Sequence, residues 1–234
     1  MSAIVGNDSM KYANVIQGKY SKEAEVASVA AFEAGRIAMK GLLEAKSRSG
    51  DHNNNNTLGV TSKGGIDLVT KYDKACEKYI FESLRKSFPQ YEFIGEESSS
   101  KNVLTNNPTF CVDPIDGTTN FVHALPMFAI SIGLVVNKRS VLGVIYIPSS
   151  DTIYQAAENE GAYLNGLKIH VDDADSLQSA LISTNFGHSR DQNVVHNQIN
   201  SVHNLLKGNA RSIRMLGKFV FDIFSQSIIF SNAP

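Results

Sequence analysis

At 234 residues the chain is long enough for one large domain or two small ones sharing an interface, and its 42% apolar and 19% charged residues are those of a soluble globular fold. A net charge of −1 gives no electrostatic reason to expect nucleic acid or a membrane as partner, and no apolar run reaches the length of a bilayer span. Cys76 and Cys111 both fall within apolar patterns, so they read as two buried thiols, not a disulfide or metal pair, which favours a reducing compartment.

Residues 1–20 carry no strong period and read as a loose or partly helical arm. They lack the uninterrupted apolar core of a secretory signal, so the cytoplasm is the expected location. Ser21 reads as an N-cap, and Val26, Ala30, Ala34 and Ile37 follow at helical spacing, giving a helix to about residue 46. Residues 47–57, with four consecutive asparagines, read as a solvated loop without catalytic consequence. Lys63, Gly64 and Gly65 precede a short strand over 66–69. A helix over 71–88 then places Cys76, Ile80 and Leu84 on one face, with Pro89 as its stop. Residues 91–94 and 110–112 are β-rich. So are 127–136 and 140–147, an expected antiparallel pair about the turn at 137–139. Strands over 152–157 and 168–171 bracket a turn at 158–166, and 180–184 is strand-like. An amphipathic helix carries Val194, Val195, Ile199, Val202, Leu205 and Leu206, and a short strand over 211–216 precedes the strongly apolar run 219–230. The pattern predicts a layered α/β architecture in three parts: the arm (1–20), an α+β unit (21–171) and a partial α/β unit (172–234).

Chemistry concentrates where two of these strands end. The run 91–94 leads into Gly95, Glu96, Glu97 and Ser98, while 110–112 leads into Asp113, Pro114, Ile115, Asp116, Gly117, Thr118, Thr119 and Asn120. Two strands finishing side by side would deliver Glu96, Asp113 and Asp116 to one sheet edge. Crowded carboxylates shift to their neutral form unless a cation sits among them, and oxygen-only ligands suit a hard ion such as Mg²⁺. Residues 116–121 read as the start of a short helix cut off by Pro126, whose free N–H groups and bare Gly117 make an anion site. Metal-holding acids beside an anion cradle point to phosphate-ester hydrolysis. Each piece alone is ordinary turn chemistry; their combination is the signal.

The chain resembles the inositol monophosphatases of the metal-dependent, lithium-sensitive sugar phosphatase superfamily. The resemblance rests on the segments 67–73, 93–98, 113–123, 131–134, 161–166 and 211–214, and it covers most of residues 20–217. It implies an α–β–α–β–α sandwich of two subdomains with the active site between them, a homodimer, Mg²⁺ as cofactor and inhibition by Li⁺. By position it assigns Glu96, Asp113 and the carbonyl of Ile115 to a first metal site, and Asp113 and Asp116 to a second. Thr118, with Glu96 and Asp73, would position the attacking water. Gly117 and Thr118 N–H groups would hold the phosphate, and Glu96, Ile115, Asp116 and Gly217 complete the implied substrate contacts. Without the resemblance, Asp73 is explained by the dipole of the helix it opens. Glu97 is either a metal-adjacent acid or the exposed neighbour of Glu96. Lys63 either reaches the site or is solvated, and His123 reads as a packing or capping residue.

The chain departs from the family after Gly217, where Lys218 and Phe219 replace small residues. The family's later Trp-Asp signature and the acid before it are missing, so the fold's C-terminal part is expected to be incomplete and the third carboxylate of the second metal site absent. Asp222 is a poor substitute, lying mid-helix between Phe219 and Ile223. The apolar run 219–230 is expected to lack cover, making the chain aggregation-prone and weakly active. The implied activity is Mg²⁺-dependent hydrolysis of inositol monophosphates. The alternatives are a phosphatase for another small sugar phosphate or nucleotide bisphosphate, and a C-terminally truncated, non-catalytic form.

Overall fold

A computed structural model describes residues 9–47, 58–64, 67–98, 103–187 and 189–215. Gly217, Asp222, the apolar run 219–230 and most of the asparagine-rich segment therefore lie outside the described residues. Helix α1 (Ser21–Ser47) begins and ends close to the expected positions, and its inner face is built mainly of small side chains, among them Ala24, Ala27, Ala30, Ala31, Ala34 and Ala38. Small side chains let neighbours approach closely. Helix α2 (Lys71–Ser87) packs along α1, and both lie over the main sheet.

That sheet has seven strands in the order β3 (Glu92–Gly95), β4 (Thr109–Asp116), β5 (Ala129–Val136), β6 (Arg139–Ile147), β7 (Thr152–Ala157), β8 (Gly161–Leu164) and β9 (Leu167–Ile169). β3 pairs with β4 in parallel and every later neighbour is antiparallel. The turn between β5 and β6 holds Asn137 and Lys138 in the left-handed region, which suits a tight reversal. Phe110, Ile130, Ile132, Leu134, Leu142, Val144 and Tyr146 supply the buried face against α1 and α2. Two smaller sheets stand apart: the antiparallel pair β1 (Thr61–Gly64) and β2 (Asp67–Val69), and the parallel pair β10 (Leu181–Thr184) and β11 (Ser212–Met215). Helix α4 (Gln192–Lys207) joins the parallel pair, capped by the Asp191 carboxylate, which accepts from the N–H groups of Asn193 and Val194.

Several expectations are revised. The segment expected to be a turn between two strands contains β8, whose Ala162 packs with Ala156 and Ile169. Lys63 and Gly64, expected to precede a strand, themselves lie in β1. Residues 9–20 are anchored: a 3₁₀ turn at Ser9–Tyr12 leads to Ala13, Ile16 and Tyr20, all buried in the main core. Gln155, itself buried, fastens this stretch by donating to Ala13 O and Ser28 Oγ. Of the two thiols, Cys76 is buried and Cys111 only partly so; both are free. The amphipathic α4 forms as expected, yet none of its residues is buried among the described residues. No described helix is long and apolar enough to cross a membrane.

Candidate active site

The parallel register of β3 and β4 places Gly95 opposite Val112, and the next amide, Glu96 N–H, donates to Val112 O at 3.1 Å. The pairing thus carries Glu96 to the side of Asp113. β4 runs on past the expected end and includes both acids. On a regular strand residues three apart point to opposite faces. Here Asp113 pairs with Ser131 and Asp116 with Ala129, so three steps along β4 match two along β5. The extra residue is a bulge, which returns Asp116 to the face of Asp113. Pro114, having no N–H to give the ladder, sits inside this irregularity, a place where proline is tolerated. Asp116 is buried, and so is the Oδ1 atom of the half-buried Asp113.

Gly117 then turns the chain with φ 102°, and an added Cβ would stand 3.0 Å from Met127 O. Glycine satisfies both constraints. The short helix α3 (Thr118–Val122) follows, held by Phe121, whose ring meets Phe128 edge-on at 5.2 Å and Tyr72 at 6.1 Å. Its first residue is the junction of the site. Thr118 Oγ1 lies 3.2 Å from Asp73 Oδ1 and 3.1 Å from Ile115 O. Both neighbours are acceptors, so the single hydroxyl proton is committed to the protein. The lone pairs of Oγ1 remain available to accept a hydrogen bond from a water.

Asp73 works with both oxygens. Oδ2 accepts from Thr70 N–H at 2.8 Å and from the Thr70 hydroxyl, while Thr70 Oγ1 caps the Tyr72 and Asp73 amides. This is a reciprocal capping box, and it turns Oδ1 toward Thr118. Burial pushes the Asp73 carboxyl above its ordinary value, opposed in part by the hydrogen bonds from Thr70 and Thr118.

The remaining candidates divide. Glu96 is exposed at the end of β3, while Glu97 is half-buried and its N–H donates to Glu77 Oε2 at 2.9 Å. His123 is exposed and closes α3 as its C-cap, its backbone N–H donating to Thr119 O and Phe121 O. Among the described residues no three Asp, Glu, His or Cys side chains are drawn together into a metal-sized group. What strand pairing brings to one strand end, by backbone position, is the set of Glu96, Asp113, Asp116 and the carbonyl of Ile115. This donor set is oxygen throughout and suits a hard divalent cation. Two residues escaped the reading of the sequence, Thr70 and Glu77. The Thr-x-x-Asp spacing of 70–73 is a capping signal that was available. Glu77 carried none, because a glutamate inside an amphipathic helix looks like a solvated one.

The sheet, its covering helices and this strand-end site define an α/β sugar phosphatase sandwich. The model of the inositol monophosphatase family matches residues 19–224. Inositol monophosphatase 1 of Solanum lycopersicum is 42% identical over 201 residues, 85% of this chain and 69% of that protein. The structure of extragenic suppressor protein suhB from Bartonella henselae aligns with a TM-score of 0.72 at 30% identity, covering 84% of this chain and 71% of that one. Inositol monophosphatase from Anabaena (Nostoc) sp. PCC 7120 aligns at 0.67 and 29% identity, covering 86% and 69%. The chain belongs to the inositol monophosphatase family and is a phosphoric monoester hydrolase.

Proposed function

We propose that the chain hydrolyses inositol monophosphates to inositol and phosphate, with Mg²⁺ held by Glu96, Asp113, Asp116 and the carbonyl oxygen of Ile115. The observation that carries this reading is the Thr118 hydroxyl, held against Asp73 and Ile115 O where the strand bearing both aspartates ends. Thr118, oriented by Asp73, accepts a hydrogen bond from the attacking water and, with Glu96, fixes its direction. The N–H groups of Gly117 and Thr118 hold the phosphate, and Glu96, Ile115, Asp116 and Gly217 contact the substrate. Bound Mg²⁺ would supply charge stabilisation for the attacking and leaving oxygens. The same reading includes inhibition by Li⁺, a homodimeric state and a cytoplasmic location. The test is phosphate release from inositol 1-phosphate with and without Mg²⁺. Asp113→Asn keeps the side chain's shape and removes its charge, so turnover should fall by roughly a thousandfold or more. Turnover near that of the parent would overturn the assignment.

A further inference from the structure

Glu77 lies one helical turn beyond Asp73 on the same face of α2 and is buried, with 4% of its surface exposed. A buried carboxylate is costly unless it is hydrogen-bonded. Glu77 Oε2 accepts the Glu97 N–H at 2.9 Å, just beyond the end of β3. The neighbouring Gly95 makes room for it, since a Cβ there would stand 2.1 Å from Glu77 Oε2. Glu96 is therefore bracketed. Its own N–H is held by Val112 O on β4, and the amide that follows it is held by Glu77 on α2. One turn earlier on the same helix, Asp73 holds Thr118. Two carboxylates spaced i, i+4 on one rigid element thus grip the two separate turns that bring Glu96 and Thr118 to the site.

We propose that Glu77 is a positioning residue, which fixes the backbone just after Glu96 and so sets where its carboxylate meets that of Asp113. The proposal rests on the reading of Glu96 and Asp113 as holders of a divalent cation, and the test separates the two. Hydrogen exchange of the Glu97 amide, followed by NMR, reads the grip itself. Calorimetric titration with Mn²⁺ reads its consequence, and a thermal melt of each variant reads general stability.

Glu77→Ala should speed Glu97 exchange and weaken Mn²⁺ binding by about tenfold or more, the scale seen when a residue supporting a metal ligand is removed. Glu77→Gln, which keeps an acceptor oxygen, should stay within a few-fold of the parent (roughly, on the same scale). Gly95→Ala should behave like Glu77→Ala, because its new Cβ displaces the end of the flexible Glu77 side chain. The double variant should add nothing further. Should Glu77→Ala fail to fold, Gly95→Ala and Glu77→Gln carry the same comparison.

Unchanged Glu97 exchange in Gly95→Ala overturns the proposal. So does unchanged Mn²⁺ affinity in a variant whose exchange has risen, or a Glu77→Gln as impaired as Glu77→Ala. A lowered melting temperature with exchange and affinity both at parental values marks a purely structural role, which also overturns it. If the parent itself binds no Mn²⁺, the cation-holding reading fails along with the proposed consequence for Glu96, while Glu97 exchange still reports whether Glu77 grips the turn.

Discussion

A single hydroxyl carries the sharpest consequence. Thr118 Oγ1 faces two acceptors, the carboxylate of Asp73 and the carbonyl of Ile115. On the role proposed for Thr118, Thr118→Ala leaves both acceptors in place and takes from the attacking water its guide. Turnover should drop roughly a hundredfold, the ordinary scale for a residue that orients a proton-transferring group, while KM holds. Thr118→Ser keeps the hydroxyl and should retain most of the activity. A rise in KM at constant kcat would instead make Thr118 a substrate contact. The residue scale also explains Asp73. Its position in the first turn of a helix has a sufficient local cause, and only the structure reveals that the cap uses one oxygen and leaves the other for Thr118.

Elements bring these residues together through one narrow crossing. Gly41 on α1 lies where Tyr72 of α2 and Phe121 of α3 converge; an added Cβ would be 2.6 Å from Tyr72 Cδ2 and 2.7 Å from Phe121 Cζ. Packed rings yield little, so Gly41→Ala should cost about 1–3 kcal/mol of stability. Tyr72 adjoins Asp73 and Phe121 lies one turn after Thr118, so the strain falls on both sides of the Asp73–Thr118 hydrogen bond. Activity should therefore decline even at temperatures where the variant is fully folded. A variant with parental activity and only a lower melting point would show that the rings adjust without moving the site.

Elements are also where the sequence was most and least legible. The long helices were visible because apolar residues recur at helical spacing over four or more turns and stop at Pro89 or near a polar run. Strands as short as β1 and β8 gave too few alternations to stand out from turns. The acids at 96, 113 and 116 were singled out because their motif is specific. That Asp113 and Asp116 share a face depends on the bulge, and a bulge is a property of pairing with β5 that one strand's sequence does not display.

For the molecule as a whole, alkaline pH is the informative variable. The Cys76 thiol is pushed up from 9.0 to about 12, first by burial and then by the charge of Asp73. Tyr72 and Tyr91 are pushed up from 10.0 to about 12, first by burial and then by their hydrogen bonds to Glu44 and Glu23. A raised pKa means that the folded chain keeps a proton the unfolded chain releases. The stability tied to these groups is fully present below about pH 9 and is lost as pH climbs toward 12. Urea midpoints should therefore decline steadily across that window, and Cys76→Ala should flatten part of the decline. Midpoints constant to pH 12 would contradict the assigned burial of these groups.

The meander has a consequence in time. From β4 to β9 each strand of the main sheet lies beside its neighbour in the chain, whereas the Asp73–Thr118 bond closes 45 residues and the Glu77–Glu97 bond 20. Short loops close first because they surrender less entropy. Substitutions in the β5–β6 hairpin, such as Ile132→Val, should slow refolding, while Thr118→Ala should leave the refolding rate alone and act, if at all, on unfolding. Stopped-flow chevrons distinguish the two, and a slowed refolding limb for Thr118→Ala would place the site in the nucleus instead. A chain assembled in that order acquires its chemistry last, so whatever loosens the strand-end contacts shortens the lifetime of the finished fold without delaying its birth.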